Sequence, residues 1–395
     1  MKYITERIKI SFLLVFSAML IFSSCNKAPD QVYGPAYVAP STAPALGETI
    51  ATIANDSLYY KLIIRGGMLA TINSRPNTYT MFVPDNNAMR VFINAISGGL
   101  VPLAAPDPVF VGFINTNIPV ASAAGIVSYN ICPQAITTAS IRSTFPNFQY
   151  PSILNPAPAL SALLRLTTFP STRNGNWVNN VPLSAVNTIT ANGVIHTTAA
   201  VVVPPSRYLW DRVNTDADLT IFRAAFVRAD SGVATSNPAS LIGALNNIGA
   251  NLTVFAPSNQ AFKNIIALLT GGAIPPNIPS DAPYIAFLGS ASVTTQTIKG
   301  IVVYHIMGTR AFSNNFPTTA TSYPTLLNGA VPTHPGVSLV CTFTGLNVTA
   351  ATVKGVVNAT ASAIALNPTP DPNGTSDQHF LNGTLHKIDQ VLLPQ

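Results

Sequence analysis

The phrase "TMFVPDNNAM" at residues 80–89 returns as "TVFAPSNQAF" at 253–262. A chain that writes one long phrase twice is read as one structural unit built twice, which limits the folds open to it more than any composition does. The match is positional: Thr80 pairs with Thr253, Phe82 with Phe255, Pro84 with Pro257, Asn86 with Asn259 and Ala88 with Ala261. Each copy reads locally as a switch from strand to helix. Thr-x-Phe suits a short strand with Phe turned inward, and the proline then ends the ladder because it has no N–H to donate. Asp85 or Ser258 follows, each able to accept hydrogen bonds from the free N–H groups of a helix start. Met89, Phe92, Ile93 and Ile96 then fall at helical spacing, as do Phe262, Ile265, Ile266 and Leu269. Both runs stop at a double glycine, Gly98-Gly99 and Gly271-Gly272, suited to a C-terminal cap.

Two further pairs recur in the same order. "GIVSYNI" (125–131) stands against "GIVVYHI" (300–306), and both read as short β-branched strands. "NGVIHTTAAVVVP" (192–204) stands against "NGTLHKIDQVLLP" (382–394), where Asn-Gly signals a tight hairpin turn and His196 or His386 follows four residues after the Asn. The loop "NPTPDPNGTSDQ" (367–378) occurs only in the second copy. Three paired motifs in one order mean a tandem duplication, with units at 46–205 and 206–395 joined near Pro204-Pro205. That short join predicts a fairly fixed arrangement of the two.

Together these motifs resemble the fasciclin-type domain, whose signatures are a Thr-x-Phe-x-Pro-x-Asn-x-Ala-Phe phrase, a central Tyr-His pair, and an Asn-Gly-x-x-His-x-Ile-Asp-x-Val-Leu-x-Pro phrase. The second copy matches all three. The first departs from them: Met89 replaces Phe, Asn130 replaces the central His, and "HTTAAVVVP" lacks the Ile-Asp. The resemblance implies an α+β fold, two tandem fasciclin-like domains, each a wedge of β-strands with helices packed along one side. It also implies adhesion or binding of extracellular polymers or proteins without catalysis. By position in the Tyr-His region, which is linked to adhesion in some members, Tyr304 and His305 are the candidate ligand-binding pair. Thr80, Phe82, Pro84, Asn86, His196, Thr253, Phe255, Pro257, Asn259 and His386 are expected to hold the fold, His386 as a buried imidazole bonded to backbone.

The N-terminus carries an address. "MKYITERIKISFLLVFSAMLIFSSC" has a basic opening and an apolar stretch from Ile10 to Phe22. That stretch is shorter than the roughly 20 apolar residues a membrane span needs, and it fits the core of a signal peptide over residues 1–24. Its end resembles a bacterial lipobox, so Cys25 is expected to become the lipid-bearing first residue. The Pro- and Ala-rich segment 25–45 then reads as a stiff tether. The expected place is the bacterial cell envelope, with the chain lipid-anchored on the outer membrane, at its surface or its periplasmic face.

Composition excludes several classes of function. Only 9% of residues are charged against 48% apolar, far below the roughly 25% charged of an average soluble protein. The net charge of +6 owes part of its size to Lys2, Arg7 and Lys9 in the signal segment. The remaining basic residues are scattered, so no concentrated face exists to neutralise phosphates, and nucleic acid is not an expected partner. No His pair has zinc-site spacing, no Gly-x-Ser-x-Gly elbow occurs, and no phosphate loop is present, so neither an enzyme nor a cofactor or metal is expected. His379 and His386 flank the second Asn-Gly turn and could meet, and Asp371 and Asp377 could hold a cation weakly, but both readings rank low. "DSL" (56–58) resembles an O-glycosylation acceptor by a three-residue match common by chance. Cys132 and Cys341 fall in different copies and read as buried thiols, Cys341 on the inward face of a strand. The reading of function is therefore a lipid-anchored adhesion or binding protein for an unknown protein or polysaccharide. The alternative is a periplasmic structural or accessory lipoprotein beside a transport or glycan-handling complex.

Overall fold

Pro84 and Pro257 close strands Tyr79–Pro84 and Leu252–Pro257, and the next residue caps a helix in each copy: Asp85 accepts the Ala88 N–H at 2.8 Å and Ser258 accepts that of Ala261 at 3.1 Å. The helices Asn86–Ile96 and Asn259–Leu269 end as the paired glycines require. Gly98 and Gly99 take φ of 64° and 84°, Gly271 and Gly272 take 59° and 86°, and the Gly99 and Gly272 N–H groups reach back to Asn94 O and Ala267 O. This is the 6→1 closure of a Schellman cap. One expectation fails at the helix ends: Ile96 and Leu269 are 49% and 66% exposed, so the buried stripe stops a turn earlier. The computed structural model describes residues 42–395; the signal segment 1–24, Cys25 and the tether as far as residue 41 lie outside the described residues.

Each opening strand lies in the middle of a ladder built from all three repeated motifs. Tyr79–Pro84 runs parallel to Gly193–Thr198 and antiparallel to Ile131–Cys132. Leu252–Pro257 does the same with Gly383–Ile388 and Ile306–Met307. The registers are equivalent, Phe82 opposite His196 and Phe255 opposite His386. "GIVSYNI" and "GIVVYHI" are not strands over most of their length. They form the ends of helices Val120–Tyr129 and Thr295–Tyr304, and only the two residues Ile131–Cys132 or Ile306–Met307 pair as strand. A β-branched run buried on one helix face gives the same letters as a buried strand, and length alone does not separate them here.

The central ladder divides each copy into two cores. Met81 and Val83 face a helical core with Tyr59, Leu62 and Ile114, while Phe82 faces the opposite way among Tyr129, Val178 and Leu183. In the second copy Val254 and Ala256 face the helices, and Phe255 packs with Tyr304, Leu339 and Val353. The first copy extends its ladder into one six-stranded sheet through Val181–Thr190. The second copy instead has a four-stranded ladder and a separate four-stranded sheet containing Val337–Thr344 and Asn347–Lys354. Val337, Leu339 and Cys341 alternate inward on the first of these strands. The fold is α+β, in two tandem copies with helices on one side of the central strands.

Candidate functional site

The motif residues form one hydrogen-bond circuit, made twice. Thr80 Oγ1 donates to Gln134 O and accepts the Ile136 N–H, while Ile136 O meets His196 Nε2 at 2.8 Å. Thr253 Oγ1 donates to Thr309 O and accepts the Ala311 N–H, while Ala311 O meets His386 Nε2 at 3.0 Å. Each imidazole stacks on the neighbouring Phe with ring centres 5.8 Å apart. With Nε2–H donating, Nδ1 accepts a backbone N–H, from Asn187 in one copy and Asp377 in the other. Asn86 and Asn259 hold the preceding helix: their Oδ1 atoms accept the Leu58 and Ile221 N–H groups, and their Nδ2 atoms donate to Ala54 O and Ala217 O. Ser57 of the glycosylation-like triplet starts that helix and shares a hydrogen bond with Asn86.

Tyr304 and His305 are fully buried. The Tyr304 hydroxyl donates to Gly336 O at 2.6 Å and accepts the Val356 N–H at 3.1 Å. His305 Nδ1 meets Ile301 O at 2.8 Å, and its Nε2 accepts the Leu392 N–H at 2.9 Å. Burial pushes this imidazole down to about 4, so it is neutral at physiological pH. His305 ties the end of its helix to Leu392, Tyr304 ties it to the segments at Gly336 and Val356, and the pair turns no polar atom to solvent. Asn130 fills the equivalent place, its Nδ2 donating to Ile126 O and Val202 O.

The low-ranked metal sites are taken up by protein groups. Asp371 binds Arg207 at 2.7 Å and Arg212 at 3.0 Å, and Asp377 accepts from the N–H and hydroxyl of Ser313. The Asp-rich loop is thus a clamp on the helix Leu209–Thr215, not a solvated cation site. His379 does not turn to His386; its Nε2 meets the Arg310 guanidinium. Among the described residues no group of three His, Cys, Asp or Glu could hold a metal. Cys132 and Cys341 are free and buried, and burial raises both thiols to about 12, so neither is a thiolate.

The surface that both copies build is at their junction. Asn174, with φ 57°, donates Nδ2–H to Asn314 O and Phe316 O, and Asn314 donates to Asn179 O. Phe145 of the first copy packs edge-on against Phe316 and Tyr323 of the second. A cleft of about 400 Å³ opens beside this contact. It is lined by Asn179, Asn180 and Pro204 from the first copy and the join, and by Thr369, Gln378 and His379 from the second. A neighbouring hollow of about 260 Å³ shares Asn180, Pro182, Pro368 and Asp377 with it.

Residues 231–394 match the fasciclin domain. The first copy lies outside that match, yet it repeats the fasciclin ladder with the same register and the same Thr–His circuit. A solved FAS1 domain pair from the insect cell adhesion molecule Fasciclin I is similar at 15% identity and a TM-score of 0.33, over 85% of this chain and 95% of that one. No curated protein matches the sequence. Tyr129 of the repeated motifs reaches the junction, 3.5 Å from His379 Nδ1, whereas Asn174, Asn179, Arg310 and His379 lie outside those motifs. The signal that could have found the last two is a difference between copies. The shared circuit makes Arg310 the equivalent of Ala135, and the shared Asn-Gly turn makes His379 the equivalent of Ile189, which is 43% exposed.

Proposed function

We propose that the chain is a non-catalytic binding protein of the bacterial cell envelope, held by lipid on Cys25 and engaging an extracellular polymer or protein through the cleft between its two fasciclin-type copies. The observation that carries this reading is the cleft itself, a surface that neither copy makes alone, lined by valines and prolines with amides and hydroxyls set among them. Such a lining suits a neutral hydrogen-bonding polymer better than a charged one, because the cleft's Arg207 and Asp371 already pair and its Asp377 is taken up by Ser313. Burial of Tyr304 and His305 directs the search for ligand contacts away from that pair. Adhesion is the role fasciclin domains generally serve, and the tether suits display away from a membrane.

The test is protease shaving of intact cells, with a Cys25→Ala strain beside the natural one. Surface display predicts cleavage on intact cells and release of the Cys25→Ala protein into the medium. Protection until the outer membrane is permeabilised would overturn display and favour a periplasmic accessory lipoprotein.

A further inference from the structure

Arg310 is only 3% exposed, and among the described residues no carboxylate lies within ion-pair distance of it. The comparably buried Arg212 has two, Asp216 and Asp371. A buried guanidinium without a counter-charge is costly unless its N–H groups are met. Arg310 meets them with neutral acceptors: Nη1 with His379 Nε2 at 2.6 Å and Nη2 with Leu381 O at 3.2 Å, while the guanidinium lies 5.0 Å over the Phe169 ring of the first copy. Its Nε has no partner. Since Arg has no lone pair to offer, His379 Nε2 must be the acceptor, so the imidazole is neutral with its proton on Nδ1.

The groups facing His379 offer no relief for a second positive charge. From the first copy come the Tyr129 hydroxyl and the Asn179 amide, each 3.5 Å from Nδ1, and the ring of Phe169. From the second come Phe312 and Arg310. Tyr129 keeps its proton, because burial pushes the phenol above its ordinary range. Asp377, two residues along the chain, is committed to Ser313. Arg310 and His379 replace Ala135 and Ile189 of the first copy, so the shared fold does not need them; they serve the junction.

We propose that His379 is an acid-operated latch between the copies: protonating it removes the acceptor for Arg310, sets two cations against each other, and releases the second copy from the first. His379 stands opposite Thr384 on the edge strand Gln378–Phe380, so each central ladder survives the release. Burial, and then the neighbouring guanidinium, hold the closed-state imidazole well below the ordinary histidine range. The closed junction therefore binds fewer protons than the open one, and closure weakens as pH falls below about 6.5. At pH 4.5 the ratio of open to closed chain rises by up to about 100-fold over neutral pH. Because His379 also lines the cleft, release would remodel the proposed binding surface. That consequence rests on the binding reading above; the latch does not.

Solution X-ray scattering of the full chain at pH 7.5 and 4.5, with circular dichroism on the same samples, tests the latch without any ligand. The expected result is a larger maximum dimension at pH 4.5 with unchanged secondary structure. His379→Gln, whose amide oxygen still accepts from Arg310 but does not titrate, stays compact at both pH values. Arg310→Met, which removes the opposing cation, shows a smaller acid response than the natural chain. Identical scattering at both pH values, an undiminished response in His379→Gln, or expansion accompanied by loss of secondary structure would each overturn the proposal.

Discussion

Asp56 is a carboxyl at a position where the second copy has Leu219; the alignment follows from Asn86 and Asn259, which bind the Leu58 and Ile221 N–H groups two residues on. It is 1% exposed, and its Oδ2 has no partner. Burial, helped by the charge of Asp85, pushes it up to about 6. A folded-state value above the unfolded 3.8 means that folding takes up a proton between them, so this group's contribution to stability falls as pH rises through that window. Asp56→Leu is therefore expected to raise the melting temperature at pH 7.5, with a gain that shrinks at pH 4.5. Thermal unfolding at the two pH values checks it, and an equal gain at both would show that the carboxyl's charge is not what destabilises the site. Asn130 teaches the opposite lesson about reading letters. In sequence it looks like a lost motif residue, but its amide bonds the same preceding turn and the same trailing segment as His305. A role defined by two backbone partners can be filled by a different side chain, and only geometry shows it.

The Asn-Gly turns are elements whose position was legible and whose reason was not. Alternation, proline and glycine are local signals, so the hairpins, the strand-to-helix switches and the double-glycine caps could all be read from neighbouring residues. What the glycine does is non-local. A Cβ on Gly193 would lie 2.0 Å from Tyr79 O, and one on Gly383 2.3 Å from Leu252 O, because the parallel partner strand begins at that point. The Asn is non-local too. Asn192 accepts from Leu46 N–H and donates to Ile72 O, and Asn382 accepts from Leu209 N–H and donates to Leu245 O at 2.8 Å. Each Asn ties the first helix of its copy to the ladder. Asn382→Ala leaves those two buried backbone groups unmet and should lower stability by about 2–6 kcal/mol, since each orphaned group costs roughly 1–3 kcal/mol. Denaturant unfolding measures this, and a loss under about 0.5 kcal/mol would mean that water replaces the amide.

At the scale of the whole molecule, the decisive contacts join residues that sequence reading had no reason to connect. Phe145, Asn174 and Asn179 come from stretches without a repeated partner motif, and they meet Phe316, Asn314 and His379 across the junction. Repetition exposes what two copies share, so the contacts that make them one object are hidden in what they do not share. The junction also makes a thermodynamic claim. Units joined only by a linker melt independently, whereas units that share buried aromatic rings and hydrogen bonds melt together until the coupling is weakened. Asn174→Gly separates the two contributions cleanly. Glycine accepts the left-handed backbone that Asn174 occupies at φ 57°, so the turn is kept while the bonds to Asn314 O and Phe316 O, both at 3.0 Å, are lost. Calorimetry of the natural chain is expected to show one cooperative transition at pH 7.5, and the variant a split or broadened one as the less stable copy melts ahead of the other. A natural chain that already melts in two well-separated steps would mean that the junction is too weak to couple the copies. A single unshifted peak in the variant would assign the coupling to the aromatic contacts around Phe145 and Phe169 instead.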